Sequence, residues 1–172
     1  MTLTAGFSKV CESSSGGLLE VHLANVDDVT SFTLTGEDYT AVTMVATKVF
    51  YKFEFEQDTA EFRENVERSD TGAVSATHEV EFQITKMTSA SRAAIQEIMD
   101  ASPCGLIAIV KDGNGNQWTS GYSEVALLER PMRIASDTSA TGKAFTDSNA
   151  SIVMLSSVDG EKARVFTGTV PV

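Results

Sequence analysis

The stretch Phe50-Tyr51-Lys52-Phe53-Glu54-Phe55-Glu56-Gln57-Asp58-Thr59-Ala60-Glu61-Phe62-Arg63-Glu64-Asn65-Val66-Glu67 decides how this chain is read. Tyr51, Phe53 and Phe55 fall on one face of an extended backbone, and Lys52, Glu54 and Glu56 on the other. After Gln57-Asp58-Thr59 the alternation resumes: Ala60, Phe62 and Val66 point one way, and Glu61, Arg63, Asn65 and Glu67 the other. Two alternating runs around a short polar break predict a β-hairpin over Phe50–Glu67. The break at Ser69-Asp70-Thr71-Gly72 leads into a further strand, where Val80, Phe82 and Ile84 alternate with Glu79, Glu81 and Gln83.

The same period extends outward in both directions. Leu19, Val21 and Leu23 alternate with Glu20 and His22, and Phe32 and Leu34 with Thr33 and Thr35. The β-branched stretch Thr40–Thr47 also favours a strand. One helix interrupts the pattern. Ser89 or Ser91 can cap it, Ala94, Ile95, Ile98 and Met99 form its apolar stripe, and Pro103 and Gly105 end it. Leu106–Val110 is almost continuously apolar, which predicts a strand covered on both faces. Asp112-Gly113-Asn114-Gly115-Asn116 is a turn, and Gln117–Leu128 its partner strand. Asp137–Gly142 reads as a mobile loop, and Ser151–Leu155 and Ala163–Phe166 as closing strands. The expected fold is mainly β: an antiparallel β-sandwich or barrel over residues 1–172, one domain, with a flanking α-helix and a long mid-chain hairpin.

Composition narrows the function. The chain has 172 residues, enough to bury roughly 70% of its unfolded surface. Asp plus Glu is 24 and Lys plus Arg 13, a formal charge of −11, which argues against phosphate-backbone binding. There is no apolar run of membrane-span length and no signal-peptide pattern at Met1–Gly6, so no membrane partner is expected. Cys11 and Cys104 are read as two reduced thiols.

The motifs that carry chemistry all fail. Gly142-Lys143 lacks the Gly six positions before the Lys, where Asp137 stands, and the following Ser or Thr, where Ala144 stands. Asp112, Asn114 and Asn116 match the first ligands of a calcium loop, but Gln117 and Ser123 replace its Gly and its bidentate Glu. His22 and His78 have no zinc-like spacing to the cysteines and read as surface strand residues. Ser120-Gly121-Tyr122-Ser123 is not a nucleophile elbow. No catalytic residue, metal or cofactor is expected. Trp118 and Tyr122 suggest a second class, a sugar- or peptide-binding sandwich with an aromatic platform, although core packing suits Trp118 better. A carboxylate-based hydrolase has no supporting motif.

A surface property remains. Glu54, Glu56, Glu61, Glu67, Glu79 and Glu81 stand against Lys52 and Arg63 on the polar side of these strands. Such a face is either plainly solvated or built to repel an anion. The aromatic side of the hairpin, Tyr51, Phe53, Phe55 and Phe62, must pack on the subunit body or on a neighbour.

In layout the chain resembles the tail tube (major tail) proteins of long-tailed bacteriophages. The helix at Ser89–Ser102 and the hairpin at Phe50–Glu67 carry the resemblance, and type VI secretion tube proteins share the layout. It implies a structural virion protein, not an enzyme, made in the host bacterial cytoplasm and located in the virion tail. It implies homo-oligomeric, hexameric rings that join sheets edge to edge and stack into a hollow tube with other tail proteins. DNA would pass through without specific binding, and Glu54, Glu56, Glu61, Glu67, Glu79 and Glu81 would face the lumen. Tyr51, Phe53, Phe55 and Phe62 would serve the hairpin interface. The loops Glu12–Gly17 and Ala135–Lys143 would order on stacking. A tail terminator or a secretion tube subunit is the alternative within the same fold.

Overall fold

A computed structural model describes Gly6 and residues 13–172, and its architecture is mainly β with one helix. Cys11, and Glu12 of the Glu12–Gly17 loop, lie outside the described residues. A five-stranded antiparallel sheet has the order β11-β8-β7-β1-β4. It contains β1 (Leu18–Asn25), β4 (Tyr51–Phe53), β7 (Leu106–Asp112), β8 (Gln117–Ser120) and β11 (Arg164–Val165). A four-stranded antiparallel sheet has the order β5-β6-β10-β9, formed by β5 (Glu61–Arg68), β6 (Val74–Thr85), β9 (Arg133–Ala140) and β10 (Ala150–Asp159). A ribbon of β2 (Val29–Thr35) and β3 (Asp38–Met44) forms a separate two-stranded sheet, tied to the chain just after β11 by a parallel bridge between Tyr39 and Phe166.

The two larger sheets enclose the main core. Val21 and Leu23 of β1 and Leu106, Ala108 and Val110 of β7 meet Val80 and Phe82 of β6 and Val153 and Leu155 of β10. The helix α1 (Ser89–Ala101) adds Ile95 and Ile98. The other face of β1 and β7 is also covered: Ala24, Ile107 and Ile109 pack under the ribbon with Phe32, Tyr39, Phe50, Tyr122 and Phe166. Phe32, Tyr39, Tyr122 and Phe166 form an aromatic cluster with centroids 4.7–6.0 Å apart. This third layer is why Leu106–Val110 is apolar without alternation: every residue of that run is buried.

Several sequence expectations are corrected. There is no hairpin over Phe50–Glu67. Tyr51–Phe53 pairs with β1, Glu61–Arg68 pairs with β6, and residues 54–60 cross from one sheet to the other. The long mid-chain hairpin is β5–β6, closed at Ser69–Ala73 by backbone bonds of 2.8 and 2.9 Å. Alternation marked the strands but carried no information on their partners.

Leu19 is 59% exposed because a bulge at the start of β1 turns Leu18 inward instead. Thr88, rather than Ser89 or Ser91, caps α1, and Ser91 returns the bond to the Thr88 backbone as a capping box. The partner strand after the Asp112–Asn116 turn ends at Ser120, because Gly121 (φ 87°) breaks it. A Cβ at Gly121 would lie 2.7 Å from the Leu106 carbonyl, so only glycine admits that close approach. The Asp137–Gly142 loop is strand as far as Ala140, since the Ser- and Thr-rich segment is an edge strand on β10. That also removes most of the loop read at Ala135–Lys143. Both histidines are buried, not superficial. His22 lies where residues 168–172 approach the outer side of β1, and His78 points between the sheets.

Candidate functional site

Register assigns each acidic residue to a face. Across β5 and β6 the pairs are Glu61 with Glu81, Arg63 with Glu79, Asn65 with Thr77 and Glu67 with Ser75. Their partners one residue away, Val80 and Ala76, are buried. Glu61, Glu67, Glu79 and Glu81 therefore share the outer face of the four-stranded sheet. No described element packs over that face. Arg63 sits among them: its guanidinium lies 2.8 Å from Glu61, 3.2 Å from Glu79 and 3.8 Å from Glu81.

Four of the six glutamates lie on the paired strands β5 and β6, and the other two lie off them. Glu54 and Glu56 lie on the crossover, where Glu56 accepts a bond from Thr85 Oγ1 at 3.1 Å and donates its N–H to the Gln83 carbonyl. Lys52 belongs to the other sheet and pairs with Glu20 at 3.2 Å, which holds the Glu20 carboxyl below its ordinary range. The acidity is also confined to one side. The outward residues of β10, Ile152, Met154, Ser156 and Val158, are uncharged, and Ile152 and Val158 are exposed. Strand order alone creates this stripe, so no feature of the linear sequence placed it beside the glutamates.

The aromatic residues of the same stretch divide. Phe53 packs near Phe82 with centroids 6.1 Å apart, and Phe55 and Phe62 lean half-buried on the main core. Phe62 stacks on Trp118 at 6.4 Å. Tyr51 is 57% exposed on the open edge strand β4.

The edges of the four-stranded sheet are its second feature. β5 and β9 are each eight residues long and each pairs on one side only. β9 reads Arg133-Ile134-Ala135-Ser136-Asp137-Thr138-Ser139-Ala140, with neither Pro nor Lys. A bulge at Ala135, the charged Arg133, and Asp137, which is paired with the buried Val153 and so lies on the inner face, are its edge-blunting features.

Alternative chemistries find little support in the geometry. Asp112 Oδ1 accepts from the backbone N–H of Asn114 and Asn116, both at 2.9 Å, and Oδ2 accepts from Trp118 Nε1 at 3.0 Å. Its oxygens are committed to a turn. Among the described residues no group of three His, Cys, Asp or Glu is arranged for a metal ion. Trp118 and Tyr122 do not form a platform: Trp118 leans on Phe62, and Tyr122 is buried in the aromatic cluster beneath the ribbon. Beside Trp118 a cleft of about 450 Å³ is lined by Ser15, Phe62, Glu64, Asp112, Asn114 and Lys162. No helix of the described residues is long and apolar enough to cross a membrane.

Sequence reasoning also missed a polar strut. Glu64 Oε1 accepts from the Ala163 backbone at 2.6 Å, and His78 Nε2 lies 3.1 Å from the Glu161 carbonyl and 3.4 Å from Glu64. Arg164 joins Glu161 at 2.9 Å and Glu37 at 3.0 Å, and the Glu161 bond raises its pKa further. This chain of contacts ties the four-stranded sheet to the tip of the β2–β3 ribbon. A Glu on the apolar side of β5 was its only sequence signal.

No protein-family model, no curated protein and no solved structure matches this chain.

Proposed function

We propose that the chain is a structural subunit of a hollow tube that conducts DNA, a tail tube protein of a long-tailed bacteriophage. The observation that carries this reading is the polarity of the two open edges. β5, β6, β10 and β9 alternate in direction, so β5 and β9 run oppositely. Rotation about an axis along the strands preserves each direction. β9 of one copy then meets β5 of the next antiparallel, the geometry of an ordinary ladder. Each copy presents both halves of this heterologous contact, so repetition closes a ring of sheets.

In such a ring the outer face of the four-stranded sheet is the natural wall of the channel. Glu61, Glu67, Glu79 and Glu81 would repel phosphates and the β10 stripe is uncharged, with Arg63 neutralised among the glutamates and Arg133 beside Ser156 as the cations of that face. The partners are further copies of the chain and other tail proteins, and the location is the virion tail.

The test replaces glutamates on assembled tubes. Glu67→Lys with Glu79→Lys should make tubes retain double-stranded DNA at low salt, and the retention should fall as salt rises. Tubes that form normally and release DNA as the unaltered chain does would remove the lumenal assignment.

A further inference from the structure

On the outer side of the five-stranded sheet a buried histidine lies under a loosely held segment. His22 of β1 is 6% exposed. Its direct cross-strand neighbours are Lys52 on β4 and Ile109 on β7. Glu20, two residues earlier on the same face, stands opposite Lys111 and pairs with Lys52 at 3.2 Å. Residues 168–172 close over this row and leave a cleft of about 410 Å³ lined by Glu20, His22, Lys52, Gln117 and Val170. The segment reads Gly168-Thr169-Val170-Pro171-Val172 and brings no charged side chain.

Few bonds hold it there. As far as Thr167 the chain is fixed: the Phe166 N–H donates to the Gln117 carbonyl at 2.7 Å, and the Thr167 N–H to the Tyr39 carbonyl at 2.8 Å. Beyond that point Gln117 Nε2 donates to the Gly168 carbonyl at 3.2 Å, the Phe50 N–H donates to the Pro171 carbonyl at 2.8 Å, and Val170 packs on the aromatic layer. Among the described residues no backbone N–H of 168–172 donates to another backbone group. β4, by contrast, is held in the ladder with β1 and by Phe53 against the main core.

We infer that residues 168–172 form an acid-released strap: a proton on His22 lifts the segment from the sheet while the rest of the fold stays closed. Under the strap an imidazolium would stand directly opposite Lys52, with Lys111 beyond, and the one carboxylate of that row, Glu20, already serves Lys52. Like charges directly opposite one another are destabilising, and a buried charge without its own partner is costly. Lifting the strap returns water to the ring and breaks only two hydrogen bonds and the Val170 contact. Burial first, then Lys52 and Lys111, push the His22 pKa below its ordinary value, against the opposing pull of Glu20 and the Ile109 backbone. The covered ring therefore binds a proton less readily than the uncovered one, whose ordinary value is about 6.5. The strap holds fully above about pH 6.5 and loosens as pH falls toward the lower value of the covered ring. The device is internal to one copy and stands whether or not rings form.

The Phe50 N–H reports the strap, because its partner is the Pro171 carbonyl. Amide exchange of the full chain, followed by NMR and corrected for intrinsic rates, compares Phe50 with Val80 in the main core as pH is lowered. Opening takes up one proton, so Phe50 protection should fall by up to about tenfold per pH unit below about pH 6.5, while Val80 protection holds. In His22→Gln, Phe50 protection should be flat over the same range. Lys52→Gln, at a partly exposed side chain, removes the opposing cation and frees Glu20 for the imidazolium. It should flatten the dependence in part, and it decides the point if the buried substitution disturbs the fold. Phe50 protection that ignores pH in the unaltered chain, or that falls equally in both variants, would overturn the strap. A parallel loss at Val80 would mean acid unfolding of the whole subunit and would overturn it too.

Discussion

Replacing Arg63 by Gln should destabilise the subunit by an amount that salt erases. Arg63 is the single cation among Glu61, Glu79 and Glu81, at 2.8, 3.2 and 3.8 Å, and its side chain is 45% exposed. An exposed pair contributes roughly 0.2–1 kcal/mol. Three such contacts share one guanidinium and do not sum fully. The change also uncovers Glu61 opposite Glu81, a like-charge cross-strand pair. Together these give a loss of about 1–1.5 kcal/mol at low ionic strength. Screening reaches about 30 Å at 0.01 M salt and about 3 Å at 1 M, so the deficit should shrink below about 0.5 kcal/mol in high salt. Urea denaturation of both proteins at the two salt concentrations reads this directly, provided the slopes agree. Adding Glu79→Gln to the variant should restore part of the loss. An equal deficit at both salt concentrations would refute the reasoning, because the residue would then be acting through packing of its stem.

Three further outcomes are expected. Gly121→Ala should cost about 2–3 kcal/mol in urea denaturation, because it joins a left-handed backbone to a Cβ pressed on the Leu106 carbonyl; a loss under about 0.5 kcal/mol would show that the backbone yields there. Tyr39→Phe should be neutral or stabilising in a thermal melt, since the Tyr39 hydroxyl is buried without a protein partner and burial pushes its pKa up; a clear loss would mean that the hydroxyl is satisfied. Burial tends to raise the Asp112 pKa, but hydrogen bonds from Trp118, Asn116 and Asn114 outweigh it and hold the carboxyl below its ordinary value. Its contribution is therefore complete above the unfolded value near pH 4 and is lost as pH falls through the lower folded value. Asp112→Asn should be less stable than the unaltered chain at neutral pH, and the gap should narrow as pH falls below the unfolded value, followed by urea midpoints and Trp118 fluorescence; a gap independent of pH would contradict this.

Strand content was legible because period-two alternation is a local property, and Val80, Phe82 and the Leu106–Val110 run are buried as it requires. Pairing was not. Phe50–Glu67 satisfies every local rule for a hairpin, yet Phe53 meets Val21 and Phe62 meets Val80 in different sheets. Which strand a run joins depends on contacts distant in sequence, and the polar break at 57–59 fits a crossover as well as a turn. The same ignorance of partners hid the aromatic layer that buries Tyr39 and Tyr122, and the uncharged β10 stripe beside the glutamates. Four glutamates were legible as one face because they alternate along two strands that do pair. Glu54 and Glu56 obeyed the same alternation but lie on the crossover, where Glu56 reaches Thr85 at the end of β6.

Ring formation requires the β5 and β9 edges to close between copies. Negative-stain electron microscopy of the purified chain over rising concentration tests it, with an Asp137→Pro, Ser139→Pro variant as comparison, since the backbone N–H groups of these two residues face the open edge of β9 and those of Ser136 and Thr138 bond β10. Rings with an open centre, or hollow tubes built from them, are expected in the unaltered chain and should be lost in the variant. Monomers at every concentration, or rings that the variant forms equally well, would contradict it.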